Sequence, residues 1–221
     1  KKITSKTKLL LGPKYAIIDE TYFNARKKLK PQNGKIKRIL VSYGGTDKTN
    51  ETSKAINAIK NLDLNKLHVD LVLGETNVHK DKIIKEVSGM KNTKLHIQLP
   101  TLAELMVDAD LALGAGGGTT WERIYLGLPS IVTTISDDQI SIPFLNENGY
   151  LFWIGKSKDV NQKDIEKKIC KLIENPSMLV DQSLRCMKYI DGKGTKRIIN
   201  IIKNVQGQNL ENSNKNQSNP S

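Results

Sequence analysis

Leu111-Ala112-Leu113-Gly114-Ala115-Gly116-Gly117-Gly118-Thr119-Thr120-Trp121-Glu122 is the stretch whose reading decides the fold. Leu111 to Leu113 reads as a short apolar strand. Trp121, Ile124, Tyr125 and Leu126 then follow at helical spacing. Between them lie a glycine-rich turn and a helix start. In that geometry free backbone N–H groups converge, and the helix dipole adds partial positive charge, so the turn suits an anion such as a phosphate. Glycines let such a ligand approach the backbone closely. Glu122 lies one turn inside the helix, where its carboxylate is placed to accept from ribose hydroxyls. The spacing is neither G-x-G-x-x-G nor G-x-x-x-x-G-K-[ST], so the two commonest phosphate-loop patterns do not apply. The alternative is a tight strand-to-helix turn with no ligand, although four glycines from Gly114 to Gly118 exceed what a turn needs.

Upstream, Ile39-Leu40-Val41 reads as a strand ending in a second glycine turn, Gly44-Gly45-Thr46-Asp47. Thr52 to Leu62 is a helix with Ala55, Ile56, Ile59 and Leu62 on one face. Strands are expected at Val69–Leu73 and Leu95–Leu99, with helices at Lys80–Val87 and Leu102–Ala109. Downstream, Ser130 to Val132 is a strand, Gln139 to Glu147 a helix with Pro143 as a candidate break, and Tyr150 to Ile154 the last strand. This strand–helix alternation predicts an α/β fold: a Rossmann-like parallel sheet with helices on both faces. Such sheets bind ligands at the C-terminal ends of their strands. Both glycine turns follow strands and so belong to that edge.

The outer segments read differently. Residues 1–36 form a lead-in, with a break at Gly12-Pro13, an extended run from Tyr15 to Ile18, a helix over Glu20–Leu29 and a loop over Pro31–Gly34. Residues 37–206 make up the ligand-binding domain. From Asp164 that part is helical, with one apolar stripe of Ile165, Ile169, Leu172 and Ile173 and another of Ile198, Ile199, Ile202 and Val205. Residues 207–221 are rich in Asn, Gln, Ser and Lys and are expected to be disordered.

Composition narrows the function. The chain has 221 residues, 38% hydrophobic and 26% charged, as a globular protein does. It opens on Lys1 rather than Met, so it reads as a piece of a longer protein. No apolar run is long enough to span a membrane, and no signal-peptide core is present; a cytoplasmic location is expected. The net charge is +12, from 35 Lys plus Arg against 23 Asp plus Glu. The lysines are scattered and aromatics are only 5%, so no basic block interleaves with stacking rings as a nucleic-acid binder needs. Excess positive charge would still attract an anionic substrate. Cys170 and Cys186 match no zinc or redox spacing and are expected to be buried and reduced. His68 and His96 fall on strands and His79 on the lysine-rich helix; all three read as structural or surface residues. No metal site and no cofactor are expected.

Several blocks resemble one family, the UDP-sugar hydrolases of pseudaminic acid synthesis (PseG type). Gly12 to Ile18 resembles the segment that crosses between that family's two domains. Ile39 to Asp47 resembles the first strand and glycine loop of its C-terminal domain. Leu102 to Met106 with Ala109 to Ala112 resembles the next helix and strand. Gly114 to Glu122, followed by Gly127-Leu128-Pro129-Ser130, is the most specific match. The family is similar to the MurG-type family 28 glycosyltransferases, which hold a nucleotide between two domains.

The resemblance implies the C-terminal, UDP-binding domain of a GT-B-like two-domain fold, with a partner N-terminal domain outside this sequence. It implies that Gly116, Gly117, Gly118 and Thr119 contact the diphosphate, with Gly44 and Gly45 on the neighbouring loop. Glu122 would hold the ribose, the backbone near Leu99 would read the uracil edge, and Gln139 would reach the sugar or a phosphate. Asp138 and Gln139 are the only catalytic candidates, because the family's catalytic histidine belongs to the N-terminal domain. Two positions depart from the pattern. Asp138 stands where the family usually has Asn, and a carboxylate there repels a diphosphate unless it meets a sugar hydroxyl or a proton. Asp19 stands where an Arg often follows the crossing segment. Three functions follow: a hydrolase in which water displaces UDP, a glycosyltransferase in which an acceptor hydroxyl does so, and a non-catalytic nucleotide-sugar-binding module.

Overall fold

The computed structural model describes residues 7–62 and 67–217. Six strands form one sheet: β1 (Arg38–Ser42), β2 (His68–Leu73), β3 (Thr93–Ile97), β4 (Leu111–Ala115), β5 (Ser130–Thr134) and β6 (Phe152–Lys156). Their spatial order is β3-β2-β1-β4-β5-β6, and every neighbouring pair is parallel. The expected Rossmann-like architecture is present. Successive residues of a strand point to opposite faces, and the sheet separates two apolar cores accordingly. Ile39, Val41, Leu71, Leu111 and Leu113 face one core, while Leu40, Val72, Ala112 and Val132 face the other.

Helices cover both faces. On the first lie α2 (Glu51–Asn61), α3 (Lys80–Val87) and α7 (Gln162–Glu174), burying Ala55, Ile56, Ile83, Ile165 and Ile169. On the second lie α1 (Glu20–Arg26), α4 (Ala103–Asp108), α5 (Thr119–Tyr125) and α6 (Ile142–Glu147). The helix α8 (Ser177–Tyr189) packs against α5, contributing Leu179 to one core and Cys186 to the other. Cys186 is buried as expected, whereas Cys170 is only partly so.

Within the stretch read as a lead-in, Ile18, Tyr22 and Ala25 are core residues. Arg26 donates to the carbonyls of Tyr125 at 2.9 Å, Met187 at 2.8 Å and Ile190 at 3.3 Å, and its guanidinium lies 4.4 Å above the Tyr125 ring. Carbonyls at a helix C-terminus carry partial negative charge, so a cation is favoured there. Asp19 accepts from the Thr21 N–H at 2.9 Å and so caps α1. That role explains an acid at this position.

Element boundaries differ from expectation in five places. Tyr15 belongs to a 3-10 turn, Pro13–Tyr15, rather than to the run that follows it, and α1 stops at Arg26. β3 ends at Ile97 because Gln98 adopts a φ of 52°, which breaks the strand two residues before Leu99. α6 begins at Ile142, so Pro143 sits in its first turn, where a missing N–H costs nothing. Finally α9 (Gly194–Gln217) continues past Gly207, where a disordered tail was expected. Residues 218–221 lie outside the described residues. The second apolar stripe is poorly covered: Ile199, Ile202 and Val205 on α9 are exposed, as is Ile173 on α7.

Candidate functional site

The strand order reverses its direction of growth between β1 and β4. β1 leads into α2 on one face and β4 leads into α5 on the other. The two connecting loops therefore diverge and leave a crevice at the C-terminal edge, the position where open α/β sheets bind ligands. Both glycine turns predicted from the sequence meet there. Ser42 of β1 pairs in register with Gly114 of β4.

The two turns are not equivalent. After β1, Gly44 has a φ of 88°, a conformation that favours glycine. The chain then brings Asp47 inward, 1% exposed, where its two carboxylate oxygens accept from the N–H groups of Glu51 at 2.9 Å and Thr52 at 3.0 Å. The start of α2 already holds an anion of its own. After β4, no side chain caps α5. The N–H groups of Thr120 and Trp121 bond back to the carbonyls of Gly117 and Gly118. A side chain added at Gly117 or Gly118 would meet nothing within 4 Å, so this loop is open on its outer side. Of the two helix starts, that of α2 is capped by a carboxylate and that of α5 has no side-chain cap.

The flanking residues fall into place around this loop. Glu122 is half-buried, and its Oε2 accepts the Tyr22 hydroxyl at 2.7 Å. Burial, reinforced by that bond, holds the Tyr22 hydroxyl above the usual phenol range, so it remains a donor. One carboxylate oxygen of Glu122 is thus fixed. Gln139 leans over the loop: its Oε1 accepts the Ile135 N–H at 2.9 Å and lies 3.0 Å from where a Cβ on Gly116 would sit. Leu99 is half-buried in the loop after β3, which lies at the same sheet edge but two strands away from β1. Asp138 is exposed and takes a hydrogen bond from the Ser136 hydroxyl. Among the described residues, no group of His, Cys, Asp and Glu side chains is arranged to hold a metal ion.

Because Asp138 points to water and to Ser136, Asp138→Asn is expected to leave UDP affinity at neutral pH within about threefold, since exposed charges contribute roughly 0–1 kcal/mol. Titration calorimetry on both versions checks this. A tenfold tightening in the Asn version would put the carboxylate at the ligand after all.

His68 is exposed at the start of β2. His96 pairs with Asp70 at 2.9 Å, and Asp70, 2% exposed, also takes Arg38 at 2.6 Å. Burial alone would raise the Asp70 carboxyl, but the bonds from Arg38 and His96 outweigh it and hold it below the usual range. His79 precedes α3 rather than lying within it, with its ring against the Lys48 carbonyl at 3.2 Å.

Two side chains in this region carry no sequence signal. Tyr22 reaches Glu122 from a hundred residues upstream, and nothing in the spacing of either predicts the contact. Arg123 lies buried directly behind the glycine loop, although its place in the sequence, next to Glu122, suggests a solvated helix face.

The parallel sheet, its strand order and its flanking helices define a Rossmann-like unit of the GT-B fold. No protein-family model matches the chain. It is 22% identical over 210 residues to the spore coat polysaccharide biosynthesis protein SpsG of Bacillus subtilis, covering 94% of this chain and 62% of that one. It is 30% identical over 133 residues to the Methanocaldococcus jannaschii protein MJ1062, covering 58% of this chain and 27% of that one. The chain thus spans less than two thirds of the length of either relative. Among solved structures, MurG of Acinetobacter baumannii superposes with a TM-score of 0.63 at 15% identity, over 91% of this chain and 57% of MurG. MnaA of S. aureus, solved with UDP, superposes with a TM-score of 0.64 at 17% identity, over 86% of this chain and 50% of MnaA. These likenesses establish the shared fold.

Proposed function

We propose that this chain is the UDP-binding domain of a UDP-sugar hydrolase of the PseG type, an enzyme that releases UDP from a UDP-linked diacetamido-trideoxy sugar in the cytoplasm. The observation that carries this reading is the uncapped loop Gly116-Gly117-Gly118-Thr119 at the β1/β4 crossover, open at Gly117 and Gly118, with the half-engaged carboxylate of Glu122 beside it. The backbone N–H groups of that loop take the diphosphate, with Gly44 and Gly45 on the facing turn. Glu122 takes the ribose hydroxyls, and the edge near Leu99 takes the base. Gln139, already fixed by the Ile135 N–H, presents its amide to the sugar or the β-phosphate.

In the reaction the bond from the anomeric carbon to the β-phosphate oxygen breaks and its electron pair leaves with UDP. Water forms the new bond to carbon and gives up a proton to a base. The residues of this chain hold the leaving group; the base belongs to the opposing domain. A donor-binding domain of a MurG-like glycosyltransferase is the second reading. It is favoured by the fold shared with MurG, and it differs only in that an acceptor hydroxyl replaces water.

The chain is expected to bind UDP in titration calorimetry and to release none from a UDP-linked amino sugar above the buffer rate. Catalysis needs a positioned acid or base and a reacting centre held between two walls. Absence of UDP binding would sink the reading, and turnover by the chain alone would sink the division of labour. Incubating the whole natural protein with UDP-sugar, with and without candidate acceptors, separates hydrolase from transferase.

A further inference from the structure

Arg123 is 2% exposed, and among the described residues no carboxylate lies within ion-pairing distance of it. Its Nη2 donates to the Ala115 carbonyl at 2.7 Å and to the Thr120 hydroxyl at 3.0 Å. Its Nη1 lies 2.2 Å from where a Cβ on Gly114 would sit, and the Ser42 backbone carbonyl oxygen lies 2.7 Å from the same point, so a side chain at that position has no room. Its Nε has no hydrogen-bond partner. The guanidinium is therefore packed between the end of β4 and the first turn of α5. Burial lowers it to about 10, Glu122 acting on it only through space, so it stays charged at neutral pH.

That placement is costly for the free protein. A buried charge without a counter-ion is strongly unfavourable, and the first turn of a helix, with its partial positive charge, repels a cation. Arg26 shows the opposite arrangement, with its charge set on carbonyls at helix ends. At Arg123 two acceptors, one of them the carbonyl at the root of the glycine loop, face a full positive charge. The deficit is one anion, and the open side of the same loop is where the reading above places a diphosphate.

We infer that Arg123 is a positioning residue whose counter-ion is the ligand: it fixes the Gly114–Thr120 turn from behind and supplies a buried positive charge that a bound diphosphate completes. The inference rests on the diphosphate reading of this loop. It requires that the contribution of Arg123 grow with the negative charge of the phosphate chain, which a scaffold role does not.

The test measures UDP and UMP affinity by calorimetry for the parent chain, Arg123→Met and Arg123→Lys. Met keeps the approximate volume without charge, and Lys keeps the charge. Arg123→Met is expected to weaken UDP at least tenfold and UMP no more than about threefold, and Lys is expected to restore UDP to within about threefold of the parent. Equal losses for UMP and UDP, or an unchanged UDP affinity in Met, would overturn the inference while leaving the nucleotide site standing. Failure of the parent to bind UDP would instead remove the reading beneath it. A second measurement needs no folded variant: in the parent chain labelled with 15N-arginine, inorganic pyrophosphate is expected to shift the side-chain resonance of the buried arginine and leave the exposed arginines in place. A resonance that stays still at saturating pyrophosphate overturns the inference.

Discussion

Gly74→Ala is expected to lower the melting temperature by about 6–12 °C and to weaken UDP binding with it. Gly74 follows β2, and a Cβ there would lie 2.2 Å from the Gly45 carbonyl oxygen and 2.4 Å from the Gly45 Cα. Both obstacles are backbone, so no side chain can swing aside. Overpacking of this kind costs roughly 3 kcal/mol, and for a chain of this size each kcal/mol shifts the midpoint by about 2–4 °C. The part that must move is the Gly44-Gly45 turn, one wall of the proposed diphosphate crevice. Thermal melts and UDP titration of the same variant check the coupling. A variant that melts with the parent would show that the two loops have room to separate. A variant that melts early yet binds UDP undiminished, measured well below its midpoint, would remove Gly45 from the site.

Glu122→Ala is expected to weaken UDP about ten- to a hundredfold and dTDP much less. A charge-assisted hydrogen bond contributes roughly 1.5–3 kcal/mol, and the deoxyribose lacks one of the two hydroxyls that Glu122 is proposed to hold. The structure adds a complication with a clear signature. Glu122 also accepts the Tyr22 hydroxyl, so the alanine leaves a buried donor without its acceptor, at a cost of about 1–3 kcal/mol in stability. The melting temperature should therefore fall whichever role dominates, and the ratio of the two nucleotide affinities is what decides. Equal losses for UDP and dTDP would leave Glu122 as an anchor for Tyr22 alone.

The strand–helix alternation was legible because each element satisfies a local rule. Ile39 to Val41, Leu111 to Leu113 and Ser130 to Val132 are short apolar runs buried on both faces of a parallel sheet, and they read as strands directly from composition. Helices such as α2 and α7 declare themselves by the spacing of their apolar residues. Boundaries were less legible where one backbone angle overrode an apolar run. Leu99 continues the pattern of Leu95 and Ile97, yet the positive φ of Gln98 ends the strand first. Pro143 looked like a breaker and is a starter, because the sequence does not show which turn of a helix a proline will occupy.

The sequence by itself determined the parallel α/β architecture, the glycine turn between β4 and α5, and the helix that carries Glu122, since all three depend on neighbours within a few residues. Only the tertiary structure decided which turn is free. Asp47 folds back to fill the start of α2, a contact set by an αL turn at Asn50 and a φ of 38° at Asp47, while the loop before α5 stays open. The structure also decided that Tyr22 from the leading helix pins Glu122 and that Arg123 turns inward beneath the loop without a counter-ion. Such contacts join residues far apart in the chain or reverse the direction in which a side chain points. They are fixed by the packing of helices onto the sheet, which no local pattern encodes.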